Sequence, residues 1–554
     1  MLRTALAQID ATVGDLDGNV ARILDACRVA RADGAELIVL PELVVTGYPP
    51  RDLLNVGAFL RATEAAVDAV VRNLPAGLVA AFGAPRRVRA GAPGRALVNA
   101  AIVARRGEVV AEVAKALLPT YDVFDERRYF EPAASDVVRV IDVAGTKVGV
   151  TICEDAWNDR TLWGATRMYD RDPVAECVEQ GAELLVNVSA SPFSQGKWAT
   201  RRKLLAHAAR RWRLPFAYAN AVGGQDGLLF DGGSLAFDAD GSPCMELPYF
   251  EESVRVVDFA ARPTLADPAP MEQLAGALVL GLRDYAKKTK MERWTLGLSG
   301  GIDSALVAVL AHLALGSASG ATFGLPSRYS SEGSIADARS LAEALAIPFS
   351  ILPIDEAHRA YEATLAPAFA PLGEAPPTDA TFENVQARIR GALLMAWANR
   401  TGSLLLTTGN KSECSVGYST LYGDSCGGLA VIADLWKLEV YELSRWLNEH
   451  RVNGAIPVST LTKPPSAELR PGQRDDQALP PYDELDPILR CLVEDELGVE
   501  ETAAATRQPI DRVRAMYRKV VLAEYKRRQF APTLRVSARS WTGRDYPIAS
   551  GWKG

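Results

Sequence analysis

The chain has 554 residues, 48% hydrophobic and 23% charged, a balance that excludes a disordered or fibrous protein and allows sizeable cores. Its formal net charge of -7 gives no reason to expect nucleic acid or an anionic membrane as a partner. Seven cysteines, at 27, 153, 177, 244, 414, 426 and 491, form no CxxC pair, which argues against a zinc site or a disulfide framework and fits a reducing cytoplasm.

Arg3 is followed directly by an alternating run, so no signal peptide is read. Strand patterns fall at 5–9, 37–40, 78–83, 97–103, 148–152 and 184–188, and helix patterns at 19–32 and 198–212. This alternation predicts a layered α/β domain over 1–260.

Glu42, Lys115 and Cys153 stand at or near strand ends or in structured turns of this domain. A cysteine nucleophile needs a base to take its proton and a cation to favour the thiolate. Glu42 is suited to be the base, and Lys115 to stabilise first the thiolate and then an oxyanion. A Cys–His arrangement is disfavoured, because the four histidines (207, 312, 358 and 450) lie in no evident motif. Taken singly, each of the three has a bland alternative: a buried structural thiol, or solvated surface charges.

Together the segments carry a resemblance. Pro41-Glu42-Leu43 with Thr46-Gly47-Tyr48-Pro49-Pro50, Lys115-Ala116-Leu117-Leu118-Pro119-Thr120-Tyr121 and Cys153-Glu154-Asp155-Ala156-Trp157 resemble the Glu, Lys and Cys motifs of the nitrilase superfamily. The resemblance implies an αββα sandwich that hydrolyses amide C–N bonds through a thioester, in the variant of the glutamine amidase branch. By position it makes Glu126 a second acidic residue near the nucleophile and assigns glutamine to Tyr121, Ser191 and Lys197. One departure is Gly227, where the pattern leads one to expect Glu.

Residues 261–270 contain three prolines and little periodicity and read as a linker, so a second domain is expected over 271–554. An amphipathic helix is predicted over 271–288, then a buried strand over 294–298 and a helix over 304–315. The apolar run of that helix is too short for a membrane span. Between strand and helix lies Ser299-Gly300-Gly301-Ile302-Asp303-Ser304. Adjacent glycines and a helix N-terminus make a phosphate cradle, and the missing Gly-Lys-Ser/Thr ending excludes a Walker A loop. The segment resembles the pyrophosphate loop of the ATP pyrophosphatases. Further strands are expected at 321–325, 349–352 and 403–407, with Ser334 and Asp337 at capping-box spacing on the helix between the first two. That pattern predicts a doubly wound parallel sheet with its ligands at the strands' carboxyl ends, where Ser299 and Thr408 fall. In Thr407-Thr408-Gly409-Asn410-Lys411-Ser412-Glu413 a lysine and a hydroxyl suit phosphate, and Asp303 with Glu413 forms the expected Mg²⁺ pair.

Glu383-Asn384-Val385-Gln386-Ala387-Arg388-Ile389-Arg390-Gly391, Val416-Gly417-Tyr418 with Tyr422-Gly423-Asp424, Lys463-Pro464-Pro465-Ser466-Ala467-Glu468-Leu469 and Glu524-Tyr525-Lys526-Arg527-Arg528 resemble the NAD synthetase domain. With the first domain, the resemblance is to the glutamine-dependent NAD synthetases. It implies that ATP contacts Gly297, Leu298, Ser299, Gly300, Gly301, Ile302, Asp303, Ser304 and Thr408. Deamido-NAD would contact Asn384, Glu413 and Lys526. It also implies a cytoplasmic homo-oligomer in which ammonia from glutamine passes, shielded, to an adenylated deamido-NAD. Trp436 departs from the pattern, which has Pro there, and 459–486 reads as a candidate lid. The rivals are a different amidotransferase built on the same loop, a catalytically dead nucleotide sensor, and a nitrilase with an inert appendage.

Overall fold

A computed structural model describes residues 2–88, 94–166, 168–376, 379–544 and 546–552. The chain divides into two compact units, Met1–Ala277 and Leu278–Gly554. No regular element is assigned over 257–269, and the helix Pro270–Thr289 then runs from one unit into the other.

The first unit contains β1 (Thr4–Gln8), β2 (Leu37–Val39), β3 (Val79–Arg87), β4 (Leu97–Arg105), β5 (Glu108–Ala114), β6 (Val140–Val143) and β7 (Thr146–Ile152). It continues with β8 (Leu184–Ser189), β9 (Phe216–Asn220), β10 (Val222–Gln225), β11 (Leu228–Asp231), β12 (Leu235–Phe237), β13 (Pro243–Glu246) and β14 (Ser253–Val256). Two six-stranded sheets result, ordered β14-β1-β2-β3-β4-β5 and β13-β12-β9-β8-β7-β6. Side chains alternate along each strand, so the central strands feed two cores. Leu6, Val39, Ala81 and Val103 meet Val150, Val186, Ala217 and Ala236 of the other sheet. Their neighbours Ala5, Ile38, Ala80 and Phe82 pack outward on the helices Leu16–Ala32 and Gly57–Asn73. The second sheet is backed by Pro173–Glu179 and Lys197–Trp212 through Cys177, Leu205 and Ala209. This is the αββα sandwich, and burial of both faces is why its parallel strands read as continuous apolar runs.

The second unit contains β15 (Trp294–Gly297), β16 (Gly320–Gly324), β17 (Phe349–Ile351), β18 (Leu404–Thr407) and β19 (Leu429–Ala430). All are parallel, in the order β17-β16-β15-β18-β19, as the doubly wound reading expects. The chain reverses its direction of winding at β15, which opens a crevice at the carboxyl ends of β15 and β18. The helix Ile302–Leu315 starts there and is buried over most of its length, which accounts for its apolar run. Among the described residues no helix is long and apolar enough to cross a membrane.

Two expectations change. The helix Glu332–Ala344 is capped by Ser331, whose side chain accepts from Ser334 N, so Ser334 lies inside the first turn. The stretch 459–486 is not one long loop. It holds the helix Val458–Thr462, a short turn of helix at Asp475–Gln477 and the start of Tyr482–Val493.

Gly83 in β3 fixes the approach of the segment after β2. A Cβ there would lie 2.1 Å from Leu43 N and 2.6 Å from the Glu42 carbonyl carbon. Gly83→Ala is therefore expected to lower unfolding stability by about 1–3 kcal/mol, the usual range for overpacking, read as an earlier urea midpoint.

Candidate functional site

The first centre is built around a buried ammonium. Lys115 Nζ donates to Glu42 Oε1 at 2.7 Å and to Glu126 Oε1 and Oε2 at 2.8 and 2.9 Å. Asn99 Nδ2 and Ala190 N also donate to Glu42, at 2.7 and 3.2 Å, and the Tyr48 hydroxyl donates to Glu126 at 2.9 Å. Burial works against the lysine's charge, but Glu126 and Glu42 outweigh it and its pKa is raised. Glu126 is pushed up to about 7, first by burial, against the pull of Lys115.

Cys153 directly follows β7 at φ +41° and opens the helical turn Cys153–Ala156. Such a φ is uncommon for a residue with a Cβ. The turn is tied down by Asp155, whose carboxylate accepts from Ala116 N, Leu117 N and Ile152 N at 3.0, 2.9 and 3.2 Å. Asp155 thus fastens the Cys153 turn to the segment that carries Lys115. The thiol is pushed up to about 12, first by burial and then by Glu42, while Lys115 pulls it down. Cys153 thus lies within electrostatic reach of both a carboxylate and an ammonium, the two groups that a thiol nucleophile with a general base requires.

Tyr121 donates from its hydroxyl to Glu154 at 3.0 Å, and Tyr169 also hydrogen-bonds Glu154. Lys197 Nζ donates to Pro192 O at 2.9 Å and lies 5.5 Å from the Trp157 ring centroid. Burial and the neighbouring Arg201 lower its pKa to about 8. Ser191 is buried, its N–H on Asn220 Oδ1 at 2.8 Å. Gly227 follows Asp226 (φ +52°) in the two-residue turn joining β10 to β11, so that departure removes a side chain and leaves the hairpin intact.

The second centre is a cavity of about 560 Å³ at the carboxyl ends of the parallel sheet. Every residue expected to meet ATP or deamido-NAD lines it except Gly300. Gly300 has φ +78°, and a Cβ on it would lie 2.2 Å from Ser334 O, so it shapes the loop from behind. Asp303 Oδ1 accepts from Asn410 Nδ2 at 2.9 Å and Oδ2 from Lys437 Nζ at 2.5 Å. Lys437 also stands 3.6 Å from Glu413 Oε1, and Glu413 Oε2 accepts from Asn410 N at 3.3 Å. Burial, then Asp303, push Glu413 up to about 8. Thr420 donates to Asn384 Oδ1 at 2.7 Å, and Lys526 Nζ is held by the carbonyls of Gly417 and Ser419.

Lys411 does not serve phosphate. It is fully buried and absent from the cavity lining, donating to Glu494, Ser537 and the Arg539 carbonyl at 2.6–2.8 Å and pairing with Asp434 at 3.1 Å. The cation that faces the cavity beside Glu413 is Lys437, which the sequence marks only through its place after Trp436. Trp436 uses the N–H that a proline lacks: its backbone N donates to Glu439 and its indole to Glu494, both at 2.9 Å, while its ring lies 4.7 Å from Lys411 Nζ. The candidate lid is pinned at three points. Thr460 donates to Gly300 O, Lys463 pairs with Asp337 at 3.0 Å, and Glu468 accepts from the Ser331 and Ser334 hydroxyls at 2.9 and 2.8 Å. Glu154, Asp155, Tyr48 and Lys437 lie within or next to motifs legible in the sequence, but only side-chain contacts reveal their work.

The two centres define a carbon–nitrogen hydrolase joined to a nucleotide-dependent synthetase. Residues 3–263 match the carbon–nitrogen hydrolase family and residues 274–530 the NAD synthase family. The chain is 43% identical to the glutamine-dependent NAD(+) synthetase of Synechocystis sp., covering 99% of each chain. It is 40% identical to that of Thermotoga maritima, over 100% of this chain and 99% of the relative. Among solved structures it resembles the glutamine-dependent NAD+ synthetase of Acinetobacter baumannii in complex with ADP, with TM-score 0.77 and 33% identity over 100% and 99% of the two chains. The chain belongs to the glutamine-dependent NAD(+) synthetases, a family of carbon–nitrogen ligases.

The raised carboxylates have a stability consequence. Glu413 titrates near 8 in the folded protein against an ordinary 4.5, so between those values the folded state holds a proton that the unfolded chain releases. Its contribution to unfolding free energy therefore falls as pH rises through that window. Glu413→Gln is expected to flatten this decline, measured by urea unfolding at a series of pH values from 4.5 to 8.

Proposed function

We propose that the chain makes NAD from deamido-NAD, ATP and glutamine, and that the residues above divide the work as follows. Glu42 takes the Cys153 thiol proton as sulfur attacks the side-chain amide carbon of glutamine. Lys115 offsets the charge on the amide oxygen and holds Glu42 ready to give that proton to the departing ammonia. Water then hydrolyses the glutamyl thioester, with Glu42 as base again, and glutamate leaves. Glu126 keeps Lys115 charged between turnovers. Tyr121, Ser191 and Lys197 receive the amino acid, and Glu154 beside Lys197 offers opposite charges to its zwitterion.

In the second unit the loop 297–304 and Thr408 seat ATP, and Asn384, Glu413 and Lys526 seat deamido-NAD. The nicotinate carboxylate attacks the α-phosphorus, and pyrophosphate leaves along the loop at Ser299. Ammonia then attacks the adenylated carbonyl carbon and AMP leaves, giving the amide. Two carboxyl groups facing a phosphate loop fit Mg²⁺, which binds through one or two carboxylates plus phosphate oxygens. Asp303 and Glu413 would hold it, and when bound it neutralises charge on the leaving pyrophosphate. The observation that supports this reading is that Lys115 joins Glu42 and Glu126 in one buried cluster of the first unit, while Asp303 and Glu413 line one cavity of the second.

Ammonia must reach the second centre unprotonated, so the reading includes a shielded transfer within an oligomer. Cys153→Ala is expected to lower glutamine-driven NAD synthesis more than about a thousandfold, the scale for a lost nucleophile, with ammonium-driven synthesis kept. Loss of both would refute the division of labour. ATP with deamido-NAD is expected to slow proteolysis between Lys463 and Arg474; equal cutting with and without the substrates would remove the lid role.

A further inference from the structure

The four oxygens of the Asp303–Glu413 pair are already engaged by this chain's own groups. Asn410 Nδ2 and Lys437 Nζ hold the two oxygens of Asp303 at 2.9 and 2.5 Å. Asn410 N holds Glu413 Oε2 at 3.3 Å, and Lys437 stands 3.6 Å from Oε1. Lys437 is the deep member, its side chain 2% exposed against 18% for each carboxylate, so it reaches them from the protein side while they face the cavity. Its own seat is built: the Tyr482 ring lies 5.4 Å from Nζ, and its backbone N donates to Ser412 at 2.9 Å. A divalent ion arriving alone must compete with an ammonium for the same oxygens, and two cations on one carboxylate pair repel.

We infer that Lys437 is a resident counter-cation of this pair, which a divalent metal displaces only when a polyphosphate is present to receive the ammonium. This rests on the reading of Asp303 and Glu413 as the metal pair. In the resting protein Lys437 keeps the two carboxylates from repelling one another. When metal and nucleotide enter together, the metal takes the carboxylates and the ammonium turns to phosphate oxygens released toward Ser299. The exchange leaves the net charge of the site nearly constant and makes metal binding conditional on nucleotide.

The test is Mn²⁺ binding in the absence of nucleotide, followed on the full chain by the electron paramagnetic resonance of free Mn²⁺. Lys437→Met and Lys437→Gln are expected to bind Mn²⁺ alone at least about tenfold more tightly than the wild type, since a like charge has been removed from a partly buried site. Asp303→Asn is expected to abolish that binding. Unchanged or weaker binding in the Lys437 variants, with Asp303→Asn still abolishing it, would overturn the inference and leave the metal pair standing. Mn²⁺ binding indifferent to Asp303→Asn would overturn both. A second measurement needs no variant: Mn²⁺ alone should leave acylation of Lys437 by an amine-reactive reagent unchanged, read by peptide mass spectrometry, whereas Mn²⁺ together with ATP should alter it. Labelling raised by Mn²⁺ alone, or unmoved by Mn²⁺ with ATP, would also overturn the inference.

Discussion

A single ammonium shared by two carboxylates inside a dry sandwich is the contact on which the first centre depends. Lys115 cannot stay charged there without Glu42 and Glu126, and the two carboxyl groups cannot lie buried so close together without Lys115 to offset them. Removing one partner from such a cluster leaves an uncompensated buried charge, which is far more damaging than loss of a surface pair. The αββα layering supplies the setting. β2 leads to Glu42, β7 leads to Cys153, and Asp155 binds the Cys153 turn to the segment after β5 that carries Lys115.

The second centre repeats this arithmetic on an unrelated scaffold. Lys437 stands between Asp303 and Glu413 much as Lys115 stands between Glu42 and Glu126, so each site sets one buried ammonium between two carboxyl groups. The surroundings differ: the first cluster lies near the Cys153 turn, and the second faces the cavity beside the loop 297–304.

Much of this was legible in the sequence because it depends on short contiguous signals. The doubly buried parallel strands read as apolar runs, the strand–Gly-Gly–helix turn at 297–304 needs its glycines, and the charged residues at strand ends stand out against apolar neighbours. What was hidden depends on distant partners. β5 is an edge strand whose adjacent Val109 and Val110 are both exposed, so it lacks the inside–outside alternation that marks a strand. Lys411 looks like a phosphate ligand until Asp434, Glu494 and Ser537, all remote in sequence, are seen to surround it. Lys437 looks like an ordinary first residue of a helix until Asp303 is placed against it. The order within 459–486 was obscured because polar anchors from another helix, Ser331, Ser334 and Asp337, do the work that apolar periodicity would otherwise announce.

The indole at 436 has an implication for how this protein can change. By donating from both nitrogens and roofing Lys411, it has become part of the support for the acidic residues 439 and 494. A cyclic imino acid at that place would take one donor each from Glu439 and Glu494, so the position is entrenched. It can drift only in company with 411, 439 and 494, and a chimera that imports this segment alone inherits half of a lock.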